Sequence, residues 1–89
     1  MDSREIRERI VDSIENSEYQ WRTVRGIVKD SKVPLLQVER FLEKSPEILK
    51  ANKPNSHGHA LFTTRKRFER ESSFGQRIMA RLLNKGSLE

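Results

Sequence analysis

The sequence predicts one small α+β domain that is mostly helical. In residues 1–45, apolar side chains recur at helical spacing in three stretches, and residues 48–63 contain two short apolar segments separated by turn-forming residues. A chain of 89 residues suffices for one core, in which about 60–65% of the surface of the unfolded chain becomes buried. The sequence has no internal repeat and no low-complexity tract, so a single domain is expected.

The first helix is predicted from Ser3 to Glu15. Asp2 precedes Glu5 by three residues, which is the spacing of a capping box. Asn16 is expected to end the helix. One face of it is apolar, with Ile6, Ile10, Val11 and Ile14 at helical spacing.

Residues 23–44 predict two short helices joined by a tight turn at residues 30–32. Thr23 is expected to cap the first helix, and Pro34, whose fixed φ suits the first helical position, is expected to begin the second. Val33 should anchor the turn in the core. The apolar faces consist of Val24, Ile27 and Val28 in the first helix and Val38, Phe41 and Leu42 in the second. Such a pair is a helix-turn-helix, whose second helix can lie in a DNA major groove.

A β-hairpin is predicted directly after these helices. Residues 48–53 and 60–63 have the composition of strands. The intervening residues 54–59 are rich in turn formers, with Gly58 at the tip.

Two further helices are predicted in the C-terminal part. Thr64 is expected to cap a helix over residues 65–71, and a second capping pattern predicts a helix from Phe74 to Asn84. We therefore divide the chain into a main domain (1–71), a helical extension (72–86) that packs on it or forms a dimer contact, and a tail (87–89) of the kind that expression vectors leave.

The order of these elements resembles the winged helix-turn-helix superfamily, in which a β-hairpin called the wing follows the second helix. The resemblance covers residues 3–68, and within the superfamily the chain looks closest to small prokaryotic modules. Its motifs are Trp21-Arg22-Thr23, Gly58 and Leu61-Phe62-Thr63-Thr64-Arg65. It implies a three-helix core, a two- or three-stranded antiparallel sheet and a DNA-binding module, either a transcriptional regulator or the DNA-targeting domain of a larger prokaryotic protein.

The same resemblance implies that residues 18–22 add a short third strand to the hairpin. Trp21 would then be a core residue. The functional alternative for Trp21 is a platform on which a base stacks, although such platforms usually combine several aromatic residues on one sheet face.

Positive charge is concentrated in the second half of the chain. Of the net charge of +5, residues 1–45 contribute nothing, because nine basic residues balance nine acidic ones, whereas residues 46–89 have nine basic and four acidic residues. A local excess of this kind favours an anionic partner, and double-stranded DNA is the partner expected for this architecture. The alternative is a solvated surface with no partner.

The candidate DNA contacts lie on the second helix of the pair and on the wing. Gln37 can bond adenine and Arg40 guanine in bidentate fashion, and Lys44 lies at the end of the same helix. Basic residues expected to contact phosphates are Lys50, Lys53, His59, Arg65, Lys66 and Arg67. Arg67 also has a structural alternative, since it can pair with Glu71.

Several residues differ from the DNA-binding pattern and favour an alternative function. Leu35 and Leu36 occur where polar or small residues are usual, and Glu39 and Glu43 add negative charge to the same helix. Lys32 occupies a turn position where glycine is common, because a positive φ is costly for a residue with a Cβ atom. The alternative is a protein-interaction module in which this leucine pair docks on another protein, unless one leucine is buried in the core.

A protein interface of that kind would also involve the C-terminal extension. Phe74, Ile78 and Leu82 recur every four residues and would form a dimer contact. The partner is then a second copy of the chain or another domain of a parent protein.

Other classes of function have little support in the sequence. The absence of cysteine excludes disulfides and thiolate metal sites, and His57 and His59 alone do not complete a zinc site. No nucleophile–base set, phosphate-binding glycine loop or paired carboxylates are present, so we expect no enzymatic activity, no cofactor and no small-molecule substrate. No apolar run has the length of a membrane span and no signal peptide is visible, so a cytoplasmic location is expected.

Overall fold

The computed structural model describes residues 1–71, which form four helices and a two-stranded antiparallel sheet. In chain order the elements are α1 (Ser3–Glu15), α2 (Val24–Ser31), α3 (Leu35–Lys44), β1 (Ile48–Lys50), β2 (Phe62–Thr64) and α4, of which residues 65–71 are described. The predicted α+β class is confirmed. The helix predicted from Phe74 to Asn84, with the dimer contacts Phe74, Ile78 and Leu82, lies outside the described residues.

Three helices begin at the capping residues that the sequence predicts. The Asp2 carboxylate accepts a hydrogen bond from the Glu5 N–H at 2.8 Å, and the Thr23 hydroxyl accepts one from the Gly26 N–H at 3.1 Å. The Thr64 hydroxyl accepts one from the Arg67 N–H at 3.0 Å and starts α4. Each bond satisfies a backbone donor that the first turn of a helix leaves without a partner.

The turn between α2 and α3 lies slightly later than predicted. α2 continues through Ser31 and ends at Lys32, which has a left-handed backbone with φ of 60°. Pro34 is the N-cap of α3 and not its first helical residue, because its ψ of 146° is extended. The residue that reverses the chain is therefore a lysine where glycine would be unstrained.

The core lies between α1, α2, α3 and the sheet. Its buried apolar residues are Ile10, Ile14, Ile27, Val33, Val38, Leu42, Ile48 and Phe62. Val33 is 1% exposed, so the apolar residue after the turn does fix the two helices to the core, as predicted.

The hairpin strands are shorter than predicted. Ile48 pairs with Thr64, and Lys50 pairs with Phe62. Beyond this pairing the Ala51 N–H donates to the Leu61 carbonyl at 2.9 Å, and then the chain enters a loop. Pro54, which has no N–H, lies in this loop, and after it the Asn55 N–H donates to the His59 carbonyl at 2.9 Å.

The predicted third strand is reduced to one bridge between Arg22 and Phe62. The two residues exchange backbone hydrogen bonds of 2.7 and 2.8 Å. Trp21 is half-buried and not a residue of the inner core; its ring packs edge-on against Phe68 with the centroids 6.0 Å apart. The prediction that Trp21 is a core residue was thus wrong, because the sheet contributes only one residue at this edge and leaves the indole at the surface of the domain.

Candidate nucleic-acid interface

α3 has two exposed flanks of different chemistry. Because successive residues turn by about 100°, Gln37, Arg40 and Lys44 lie within one sector of about 60°. Arg40 and Lys44 are exposed and Gln37 is partly exposed. The three residues predicted to contact the major groove therefore form one contiguous surface, which we call the polar flank.

The opposite flank of α3 is apolar and acidic. It carries Leu35, Glu39 and Glu43, and Leu36 lies between the two flanks. Leu35 is 53% exposed and Leu36 is 59% exposed. The alternative in which one of these leucines is buried in the core is therefore wrong.

A groove of about 620 Å³ separates this flank from α2 and the hairpin loop. Val24, Val28, Leu35 and Ala60 form its apolar walls, with Arg25, Glu39 and His59 also lining it. The start of α2, the start of α3 and the hairpin loop all line this groove, so a single ligand can contact all three.

An adjacent groove of about 610 Å³ runs between α3 and the sheet. Lys50 lines it together with Glu39 and Glu43. No ion pair links Lys50 to either carboxylate.

The hairpin loop presents one lysine and two histidines to solvent, and side-chain hydrogen bonds hold its backbone. Lys53, His57 and His59 are exposed. The Asn55 carboxamide oxygen accepts hydrogen bonds from the N–H groups of His57 and His59, both at 2.9 Å, and Gly58 takes a φ of 83° between them. The imidazole centroids are 6.4 Å apart, and no third metal ligand joins them within residues 1–71.

Arg65 and Lys66 lie on a different side of the molecule. They line a groove of about 530 Å³ with residues of α1 and with three acidic side chains, namely Glu15, Glu47 and Glu69. The Arg65 side chain donates to the Pro46 carbonyl at 3.2 Å. No residue of α3 lines this groove, so the structure does not bring these two cations together with the polar flank.

The same groove contains a bidentate ion pair between Arg7 and Glu47. Two nitrogens of Arg7 donate to the two oxygens of Glu47, each at 2.7 Å. The hydrogen bond and the charge of Arg7 lower the pKa of the Glu47 carboxyl below its usual range, and Glu47 in turn raises the pKa of Arg7. Glu47 is therefore a carboxylate at neutral pH and adds fixed negative charge next to Arg65.

Arg67 was predicted to contact phosphate, and the structure shows instead that it is a structural residue. It is 7% exposed. Its guanidinium donates to the carbonyls of Ile14, Ser17 and Tyr19 at 2.7, 2.8 and 2.9 Å, and to Glu71 at 2.7 Å. A phosphate could reach this group only after these bonds broke, so Arg67 is removed from the candidate interface, and the pairing with Glu71 is the alternative that holds.

Three cations that the sequence analysis did not select lie on the outer face of α2. Arg25, Lys29 and Lys32 follow one another at intervals of four and three residues and are all exposed. Their spacing was a usable signal, but they fall in the half of the chain whose net charge is zero. Charge summed over long segments hides a one-sided distribution on a single helix.

Comparisons with models of protein families, with characterised proteins and with solved structures found no match to this chain. Within residues 1–71, no helix has the length and apolarity that a membrane crossing requires. A function is therefore inferred from the arrangement of residues described above.

Proposed function

We propose that this chain is a winged helix-turn-helix module that binds double-stranded DNA. In this proposal α3 enters the major groove with its polar flank facing the bases, and the hairpin is the wing that follows the phosphate backbone. The order of the elements supports the assignment, since a helix-turn-helix is followed directly by an antiparallel hairpin.

The observation that carries the proposal is the polar flank itself. Gln37, Arg40 and Lys44 are accessible on one side of α3, and no ion pair holds them among the described residues. Gln37 has the donor and acceptor pair that matches an adenine edge, and Arg40 has the fork that matches guanine O6 and N7. In this proposal Lys44, at the end of the same helix, contacts the major groove together with them.

The set of residues proposed to contact phosphates is smaller than the sequence predicts. Lys53 and His59 lie on the exposed loop, and Lys50 lies beside α3, so these three remain candidates. Arg65 and Lys66 are on the far side and Arg67 is engaged within the fold. Gln37, Arg40, Lys44, Lys50, Lys53 and His59 thus form the proposed interface.

The proposal is tested by titrating a 20-base-pair duplex at about 50 and about 200 mM salt and following amide NMR shifts. If about six phosphates are contacted, counterion release predicts a loss of affinity of roughly 10³-fold between the two conditions. Shifts should cluster on α3 and the hairpin loop. Arg40→Ala should weaken binding, whereas Lys66→Ala, on the far side, should leave it unchanged. An absence of shifts at low salt would exclude the proposal.

A second candidate function is a protein-interaction module that uses Leu35 and Leu36. Two adjacent leucines that are each more than half exposed favour it, since clustered apolar surface commonly marks an interface. In this alternative the partner is a second copy of the chain. Sedimentation equilibrium of the full chain and of Leu35→Ser/Leu36→Ser decides between the two: a dimer that the double substitution dissociates supports the interface, whereas a monomer that still binds the duplex supports DNA binding.

A further inference from the structure

The outer face of α2 and the C-cap of this helix have three exposed cations. Arg25 and Lys29 lie within one sector of about 40°, opposite the buried residues Ile27 and Ser31, and the exposed Lys32 is the C-cap at the end of the same helix. The surface they form, which we call the α2 basic face, has no acidic side chain of α2 within it.

The acidic residue of α2 is turned away and neutralised. Asp30 lies on the other flank of the helix, where Arg22 pairs with it at 2.7 Å. Among the described residues, no carboxylate pairs with Arg25, Lys29 or Lys32. Their charge is therefore available to an external anion, and three like charges on neighbouring turns repel one another until an anion binds.

The α2 basic face is next to the proposed DNA-binding surface. Arg25 lines the same groove as His59 of the hairpin loop, which belongs to the proposed interface, and as Leu35, which lies on the flank of α3 opposite the polar flank. Lys32 is in the turn that leads into α3. A duplex whose major groove receives α3 has a phosphate strand on each side of that helix. In this arrangement one of the two strands would run beside Arg25, Lys29 and Lys32.

We infer that Arg25, Lys29 and Lys32 bind the phosphodiester backbone and form the main phosphate-binding surface of the module, in place of the basic residues of α4. The inference rests on the proposed function. It assigns DNA contact to three residues of the half of the chain that is electrically neutral. These contacts give affinity without base specificity, because phosphates are the same at every step of the duplex.

The test compares two triple substitutions that remove the same net charge from the full chain. One is Arg25→Gln/Lys29→Gln/Lys32→Gln on the α2 basic face, and the control is Arg65→Gln/Lys66→Gln/Arg70→Gln on α4. All six side chains are exposed, so both variants should fold, which circular dichroism verifies. The probe is a 20-base-pair duplex titrated at several salt concentrations.

The expected result is a change in the salt dependence of binding that is confined to the α2 variant. Each lost phosphate contact lowers the slope of log K against log salt by about 0.9, so loss of three contacts should lower it by about 2.7. The reduction should be the same for duplexes of unrelated sequence. The α4 control should keep the slope of the unmodified chain.

Other outcomes would overturn the inference in distinguishable ways. If the unmodified chain binds and only the α4 variant loses slope, the phosphates are held by α4. If both variants lose slope equally, binding follows net charge and not a defined surface. If the unmodified chain does not bind at low salt, the proposed function fails and the inference fails with it.

Discussion

Two basic segments of this chain differ in what their cations contact. In residues 65–70, four of six side chains are basic, yet Arg67 is buried among backbone carbonyls and Arg65 donates to the Pro46 carbonyl. On α2 the three outer cations form no ion pair with a described residue. The number of basic residues in a segment therefore does not give the number that can bind a partner. Some of these side chains already bind carbonyls and carboxylates within the fold.

The strongest test of this difference is Arg67→Met. The substitution removes the donor to three carbonyls and to Glu71, while a side chain of similar length remains. Unsatisfied buried acceptors cost about 1–3 kcal/mol each, and partial access of water reduces the sum, so we expect a loss of about 3 kcal/mol in the free energy of unfolding. Thermal denaturation should show a Tm lower by more than about 10 °C.

The control for this prediction is Lys66→Met, one residue away and exposed. Its effect on the free energy of unfolding should lie within about 0.5 kcal/mol, as for most surface substitutions. Equal destabilisation by the two changes would show that Arg67 does not hold α4 to the end of α1.

The second test concerns Arg22, a cation that is also engaged within the fold. Arg22 pairs with Asp30 at 2.7 Å and donates to the Ser13 carbonyl at 3.3 Å. A Cβ atom at Gly26 would lie 2.6 Å from its guanidinium, so the glycine leaves room for this pair. In an Arg22→Ala background, Gly26→Ala should stabilise α2 by about 1 kcal/mol, the usual difference between these residues inside a helix.

In the unmodified chain the same Gly26→Ala substitution should lose that gain, because the new methyl group displaces the guanidinium from Asp30. We expect a coupling energy of about 1.5 kcal/mol between the two positions, measured by urea denaturation of the four proteins in a double-mutant cycle. Additive effects would mean that the guanidinium moves aside without loss.

The elements of the fold follow from local rules that the sequence displays. The side chains of Asp2, Thr23 and Thr64 satisfy backbone donors within three residues, so their caps could be predicted from spacing alone. The role of Arg67 could not be predicted in this way. Its acceptors lie 48–53 residues away in the sequence and become neighbours only after α4 packs against α1. The position of Trp21 depends in the same way on how far the third strand extends.

The candidate site was predictable where it lies on one helix and unpredictable where it spans elements. The common face of Gln37, Arg40 and Lys44 follows from helical periodicity. The separation of Arg65 and Lys66 from that face depends on tertiary packing, which places them beside α1 and its acidic residues. Periodicity would also have identified the α2 basic face, had charge been summed by helix face and not by segment.

The third test concerns Lys32, whose charge is expected to favour DNA binding while its backbone conformation destabilises the fold. Lys32 has a φ of 60°, a conformation that costs a residue with a Cβ atom about 1–2 kcal/mol. Lys32→Gly should relieve this strain and, after the larger entropy of glycine in the unfolded chain, raise the free energy of unfolding by about 0.5–1 kcal/mol.

The same Lys32→Gly substitution should lower the salt slope of duplex binding by about 0.9, the value of one phosphate contact. A chain that becomes more stable while binding more weakly would show that the lysine is kept for its charge. Unchanged binding would remove Lys32 from the α2 basic face and leave its strained conformation without a functional reason.

The smallest expected effect is at the Arg7–Glu47 pair, whose side chains are engaged yet 48% and 40% exposed. Because the folded state lowers the pKa of Glu47, its ionised form stabilises the fold above the unfolded-state pKa of about 4.3, and this stabilisation is lost as pH falls through the lower folded-state value. Solvent screening keeps the effect well below that of Arg67→Met. Glu47→Gln should therefore lower Tm slightly at about pH 6 and by less at about pH 3, because protonation of the carboxyl as pH falls removes the charge that pairs with Arg7.

Other carboxyl groups titrate in both proteins, so the difference in Tm between them isolates Glu47. In an Arg7→Gln background, Glu47→Gln should have no pH-dependent effect, since the partner that lowers the pKa is absent. If the substitution lowers Tm equally at both pH values, the glutamate stabilises the hairpin through packing and not through its charge.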